Sequence, residues 1–325
     1  MSQDPLLPPY DWRRMAAMLD GISSAVVAGQ QLSELTTFKI GGPGGLICPV
    51  ENAGQARRFL DFAHHHQMPW TCLGGGSNIL ADDSGYAGMI LLVQTRELEV
   101  SGNMVHVGSG WDFDSLVAET LRRGLTGLEF ASGIPGTVGG ALVGNAGCYG
   151  QEIGSLLAEA TVLRSSGELE VLGPEDFAFE YRSSALKGRG DIVLDMVLTL
   201  EHGDLHEAGR VREEHIADRR RKHPGKIPCA GSYFKNLPPL GPGERRRAAG
   251  QLLEAAGAKS MQVGDAAVFP LHANIIVNRG RARCCDVLDL AAQMRQAVLE
   301  QFNEDLEPEV RHLRTPHPSQ VADGD

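Results

Sequence analysis

The sequence lacks the two commonest nucleotide-binding fingerprints: no G-x-G-x-x-G follows a strand, and G-x-x-x-x-G-K-[ST] does not occur. An ordinary dinucleotide-binding domain and a P-loop are therefore excluded. There is no apolar run of eighteen residues, so no membrane-spanning helix is expected. The start, Met1-Ser2-Gln3-Asp4-Pro5 with further prolines at 8 and 9, has no charged-then-apolar signal pattern. No repeat or low-complexity tract is present. Positive charge is in deficit: 30 Lys and Arg against 41 Asp and Glu leave −11, which argues against general nucleic-acid binding, a task that wants a basic face. An anionic small molecule is not excluded, because local charge decides that question. The basic runs Arg219-Arg220-Arg221-Lys222-His223 and Arg245-Arg246-Arg247 read as solvated helix faces. The six cysteines (48, 72, 148, 229, 284, 285) form no C-x-x-C pair and two are adjacent, as expected of reduced thiols in a cytoplasmic protein. His64-His65-His66 has no accompanying ligand motif, so no metal is expected.

What the chain has in excess is glycine: 40 of 325 residues, about 12% against an average near 7%. The excess is concentrated in particular loops. Gly133-Ile134-Pro135-Gly136-Thr137-Val138-Gly139-Gly140-Ala141 runs on to Asn145-Ala146-Gly147, and Gly74-Gly75-Gly76-Ser77-Asn78 lies upstream. Such segments bury few side chains, but they bring backbone N–H groups close to a ligand, and phosphate is the usual target. Two such loops predict a long phosphate-bearing cofactor held at more than one place.

With 325 residues two or three domains are expected. Residues 1–20 read as an arm with a helix near Trp12–Leu19. Periodicity predicts helices at Gln55–His66, Phe113–Arg123 (with Gly124 as cap), 206–222, Glu244–Ala256 and Asp286–Phe302. It predicts strands at Trp70–Leu73, Ala160–Arg164, Glu168–Leu172, Ile192–Leu200 and Asn274–Asn278. The character of the chain changes near His202-Gly203-Asp204. The boundary is placed at about residue 205, giving a glycine-loop domain over 21–205 and a smaller α/β unit over 206–325.

Several segments, in order, then become specific together. Thr37–Gly42, Gly74–Leu80, Gly133–Ala141, Asn145–Gly150, Tyr181–Ser184, Gly231–Asn236, His272–Asn278 and Leu306–Val310 resemble the landmarks of the UDP-N-acetylmuramate dehydrogenase family, also called UDP-N-acetylenolpyruvoylglucosamine reductases. Residues 183–190 are short and lack the tyrosine-bearing insertion of one subtype, so the likeness is to the shorter-loop subtype. The resemblance implies an α+β protein. Its FAD-binding domain would be of the vanillyl-alcohol-oxidase (PCMH) type, built from two α/β subdomains. A substrate-binding domain would follow, its C-terminal segment around Glu309 returning to the active site. It implies that NADPH delivers a hydride to FAD, which passes it to the enolpyruvyl group of a UDP-sugar in peptidoglycan precursor synthesis. A cytoplasmic monomer, with no nucleic-acid or membrane partner, is expected.

Hydride addition to an enol ether bearing a carboxylate builds negative charge next to that carboxylate. The reaction then needs a cation or donors and a proton source. Arg182 suits the first need through its planar, permanently charged fork. By the resemblance, Ser232 is the proton donor, and Glu309 either donates a hydrogen bond when protonated or orients a donor when ionised. Lys235 and Asn236 are expected at the substrate's phosphates or carboxylate, with Tyr181 capping that pocket. Cofactor contacts are expected from Gly74, Gly75, Gly76, Ser77, Asn78, Gly133, Gly136, Thr137, Gly139, Gly140, Asn145 and Gly147. The chain departs from the family pattern at Leu237, at Phe269-Pro270-Leu271 and at Ser260, all in the substrate domain. Two other readings stay open: another flavin oxidoreductase of the same fold, such as an alcohol oxidase, and a flavin- or nucleotide-binding protein without catalysis.

Overall fold

A computed structural model describes residues 10–316 apart from residue 224; the first nine residues of the expected N-terminal arm lie outside that range. The first sheet holds β1 (Val27–Ala28), β2 (Gly44–Val50), β3 (Trp70–Leu73) and β5 (Tyr86–Val93) in the order β1-β2-β5-β3, while β4 (Ile79–Ala81) lies apart from it. β2, β5 and β3 are parallel. Nearly every residue of β2 and the first six of β5 are buried, as expected for parallel strands covered on both faces. Helix α1 (Trp12–Met18) buries Met15 against this sheet, and helix α2 (Ala53–His65) buries Ala56, Phe59, Leu60 and Ala63. That is the one-face spacing of an amphipathic helix. Asn52 starts α2 by accepting the Gln55 N–H at 2.9 Å.

The second sheet is antiparallel. It contains β6 (Leu98–Ser101), β7 (Met104–Gly108), β8 (Leu157–Leu163), β9 (Leu169–Leu172) and β10 (Ile192–Thr199), ordered β9-β8-β10-β7-β6. Helix α3 (Phe113–Arg122) packs Phe113, Leu116, Val117 and Thr120 into the same core and is followed by Gly124 at φ +85°. A further short helix, α4 (Val138–Val143), joins that core. Helix α5 (Leu205–Lys222) leads out and buries only Ala208. The third sheet runs β11 (Cys229–Ser232), β14 (His272–Asn278), β13 (Ala266–Phe269) and β12 (Gln262–Val263) in spatial order. It is backed by α6 (Ala249–Ala255) and α7 (Cys284–Phe302).

The halves interlock. Phe38, Ile40 and Leu80 lie in the core of the third sheet, Thr37 Oγ1 donates to the Cys229 carbonyl at 2.7 Å, and Asn278 Nδ2 donates to the Phe38 carbonyl. β15 (Arg311–Leu313) crosses back and pairs in parallel with β4. The expected helix over 244–256 is shorter, confined to 249–255. Leu237 and Arg247 pair their backbones instead, and the Arg246 and Arg247 side chains donate to the carbonyls of Asn236 and Pro238. Tertiary hydrogen bonds thus hold the segment out of the helix its sequence favours.

Candidate active site

β3 ends at Leu73 and delivers the loop Gly74–Asn78 directly against the second glycine segment. Ser77 Oγ donates to the Pro135 carbonyl at 3.0 Å. A Cβ on Gly74 would fall 2.4 Å from Thr137 Oγ1, and one on Gly75 would fall 3.0 Å from Gly136 Cα. Gly136, at φ +120°, would meet Ser77 Oγ at 2.6 Å. Loop-on-loop packing therefore demands glycine here before any ligand is considered. Among the described residues the N–H groups of Gly75, Ser77 and Asn78 donate to no protein acceptor. Free backbone donors on a glycine-rich loop are what a diphosphate requires, and these residues fit one.

The second glycine run is only partly a loop. Thr137 Oγ1 accepts the Gly140 N–H at 3.3 Å and starts α4, whose Val138, Ala141 and Leu142 are buried. Several of the expected cofactor contacts carry packing duties as well. Gly139 lies in α4 against Ser109, to whose carbonyl it donates at 2.9 Å. Gly133 leaves room for the Arg219 side chain of α5, and Gly147 sits in a hairpin under Gln151. Asn145 also has its side chain held by the fold. It is buried at φ +43°, accepts from Gly154 N–H at 3.1 Å and donates to the Glu180 carbonyl at 3.1 Å. Its side chain braces the turn before Tyr181.

That turn supports the charged cluster. Arg182 adopts φ +57°, a left-handed conformation uncommon for a side chain of this size, and Lys187 Nζ donates to its carbonyl at 2.9 Å. Arg182 Nε lies 3.1 Å from Glu309 Oε1. This is an ion pair without hydrogen-bond alignment, so the buried Nε–H keeps no acceptor. Glu309 is placed from the other side: its N–H donates to the Tyr233 carbonyl at 2.7 Å, and its carbonyl accepts from Asn78 Nδ2 at 3.1 Å. Tyr233 follows Ser232, so the serine strand and the glutamate segment are stitched together. Gly231 at φ +75° turns the chain immediately before Ser232. Burial pushes the Glu309 carboxyl above the ordinary carboxylate range, against the opposing pull of Arg182, Lys187 and Lys235.

Beside this cluster a cavity of about 460 Å³ is lined by Glu180, Tyr181, Lys235, Arg246 and Glu307. Lys235 Nζ pairs with Glu307 at 2.5 Å, so Glu307 neutralises the cavity's lysine. Asn236 is tied to the fold: its carbonyl accepts from Arg246 at 2.8 Å and its Oδ1 accepts the Ala249 N–H at 3.2 Å. Two residues of this neighbourhood were not singled out by sequence. Arg246 lies 3.9 Å above the Tyr181 ring, which corrects its reading as part of a solvated helix face. Lys187, although exposed at the surface, is pulled below the ordinary lysine range by partial desolvation and then by Lys235, with Glu309 and Glu307 opposing. Its spacing of five from Arg182 is the only sequence signal for it.

Residues 45–173 match the model described as "FAD binding domain", and residues 223–313 match "UDP-N-acetylenolpyruvoylglucosamine reductase, C-terminal domain". A UDP-N-acetylenolpyruvoylglucosamine reductase of Bacillus velezensis is 36% identical over 88% of this chain and 93% of its own length. One from Symbiobacterium thermophilum is 39% identical over 87% and 90%. The crystal structure of the Thermus caldophilus reductase superposes with a TM-score of 0.73 at 34% identity, covering 88% of this chain and 97% of that one. Together with an α+β fold whose two glycine loops meet beside an arginine–glutamate pair, these likenesses establish that the chain belongs to the UDP-N-acetylenolpyruvoylglucosamine reductase family, FAD-dependent oxidoreductases of peptidoglycan precursor synthesis.

Proposed function

We propose that this chain reduces the enolpyruvyl group of UDP-N-acetylglucosamine enolpyruvate to the muramate ether with NADPH as reductant, and that Arg182, Ser232 and Glu309 perform the second half of the reaction. The observation that carries the assignment is the Arg182–Glu309 contact of 3.1 Å with its unaligned, buried guanidinium N–H, beside the strand that ends at Ser232. Bound FAD supplies the hydride. Gly75, Ser77 and Asn78 would hold the cofactor's diphosphate by their backbone N–H groups. Arg182 would receive the substrate carboxylate and stabilise the charge that develops on it. Ser232 would give its hydroxyl proton to the adjacent carbon, an acceptor basic enough to take it. Glu309, whose burial favours the protonated form, would donate a hydrogen bond to the same enolate. Lys235 and Tyr181 would face the nucleotide sugar, as would Arg246. The free cysteines suit a reducing cytoplasm, and a monomer is the working unit of this reading.

Rapid-mixing measurement of the two half-reactions tests it. Ser232→Ala is expected to leave flavin bleaching by NADPH intact and to slow reoxidation by the enolpyruvyl sugar about 10²–10⁴-fold. If reoxidation survives, Ser232 is not the donor.

A further inference from the structure

We propose that Asp82, Cys284 and His312 form a Zn²⁺ site that fastens the C-terminal strand to the rest of the fold. The three residues come from separate places: Asp82 follows β4, Cys284 opens α7, and His312 lies at the middle of β15. One ligand atom from each lies within 4.8 Å of the others. His312 Nε2 is 3.3 Å from Cys284 Sγ and 3.2 Å from Asp82 Oδ2. A tetrahedral zinc ion with bonds of about 2.0–2.3 Å has ligand–ligand edges of roughly 3.3–3.6 Å, close to both spacings.

Ordinary hydrogen bonding accounts poorly for this arrangement. A single imidazole nitrogen offers either one lone pair or one N–H. Nε2 cannot accept the thiol proton and donate to the carboxylate at once, whereas a central cation satisfies all three atoms and releases the thiol proton to solvent. Asp82 is also oriented from behind, since its Oδ1 accepts from Ser84 N–H at 2.9 Å and from Ser84 Oγ at 2.7 Å, leaving Oδ2 to face the cluster. Outer partners of this kind fix metal ligands. The sulfur, nitrogen and oxygen set selects zinc over calcium or magnesium, which take oxygen ligands. Asp82 and His312 are part-exposed, so water can fill the fourth position.

The site would act on the segment bearing Glu309. His312 lies three residues beyond it, and Asn78 bonds the chain on both sides, to the Glu309 carbonyl and from the Arg311 N–H. The ligands lie at 82, 284 and 312, so no local spacing announces them, and the expectation of no metal came from local spacing.

The test uses the full-length, FAD-loaded protein stripped with a chelator and then titrated with Zn²⁺ or Co²⁺. One Zn²⁺ per chain, a raised melting temperature, and the intense visible bands of tetrahedral Co²⁺ to the red of the flavin absorption are expected. Cys284→Ser and His312→Ala should each lose the cobalt bands and the zinc-dependent stabilisation. Cys285→Ser should keep both, and Ser84→Ala should weaken binding about 10–100-fold. Absence of binding, a weak octahedral cobalt spectrum, or a signal that persists in both Cys284→Ser and His312→Ala (placing the metal elsewhere, such as at His64–His66) overturns the proposal. Melting without metal identifies any variant that fails to fold, and the other ligand variant then decides.

Discussion

The glycine cradle and the charged cluster are built on opposite plans. The cradle comes from two stretches whose composition gives them away, and its geometry is fixed by sterics: a Cβ on Gly74 or Gly136 would come within 3 Å of the other loop. The cluster comes from Arg182, Lys187, Lys235 and Glu309, residues unremarkable singly, in which three cations surround one buried carboxyl. The cradle is sensitive to an added atom, the cluster to a changed charge. Substitutions at the two should therefore fail differently, one by losing flavin and the other by losing chemistry with flavin in place.

Between the cradle and the charged cluster, the largest effect is expected at Arg182. Arg182→Ala should slow the sugar half-reaction about 10²–10³-fold with flavin content and bleaching by NADPH preserved, and Arg182→Lys should not restore it, because an ammonium lacks the planar fork. Loss of flavin in Arg182→Ala would erase the contrast between the regions. Gly136→Ala comes next. A side chain at φ +120° costs about 1–3 kcal/mol, and the contact with Ser77 adds to it. Purified protein should carry less flavin and melt lower. Adding Ser77→Ala should restore part of the loss and leave the backbone component, so full restoration would show that only the contact matters.

A smaller effect concerns the element joining the regions. Arg219 of α5 packs on Gly133, and His223, just past its end, lies against His272 with ring centres 5.9 Å apart. Burial, followed by Arg219, lowers His223 from 6.5 to about 4. Below pH 6.5 the unfolded chain takes up a proton that the folded chain refuses, so stability present above 6.5 is lost as pH falls toward about 4. His223→Gln should flatten that part of the melting-temperature profile; an unchanged slope would show that other groups set it. The smallest effect is expected at Lys187. Its charge lowers the Glu309 pKa, so Lys187→Met should move the Glu309-dependent limb of the sugar half-reaction to higher pH. An unmoved limb, or a shift to lower pH, would separate Lys187 from Glu309.

Helix α3 was legible because one face is apolar at the helical period, with Gly124 marking where it stops, and strand β10 because its run is apolar nearly throughout. The helix over 138–143 was not, since glycines at 139 and 140 hide a face made by Val138, Ala141 and Leu142. Residues 244–248 looked helical and are not, because Arg246 and Arg247 find carbonyl acceptors near residue 237. Asn145 stood out as a ligand contact, and what its side chain does in the fold, bonding Gly154 and Glu180, was not legible. Period and composition report on neighbours in the chain, and each of these outcomes turned on a neighbour in space.

By itself the sequence determined where the backbone must be bare. Glycine at 76, 133 and 136 meets a local requirement, a left-handed φ of +61°, +71° and +120° that side chains rarely adopt, whereas at 74 and 75 it answers to the facing loop. Only the tertiary structure decided that Glu309 meets Arg182 across 127 residues, that Lys187 holds the arginine's turn, and that Asp82, Cys284 and His312 share one place. Those meetings depend on the return of β15 to β4 and on the bond from Glu309 to Tyr233. Contacts between residues so distant in sequence follow from strand pairing and core packing, to which no single stretch of the chain holds the key.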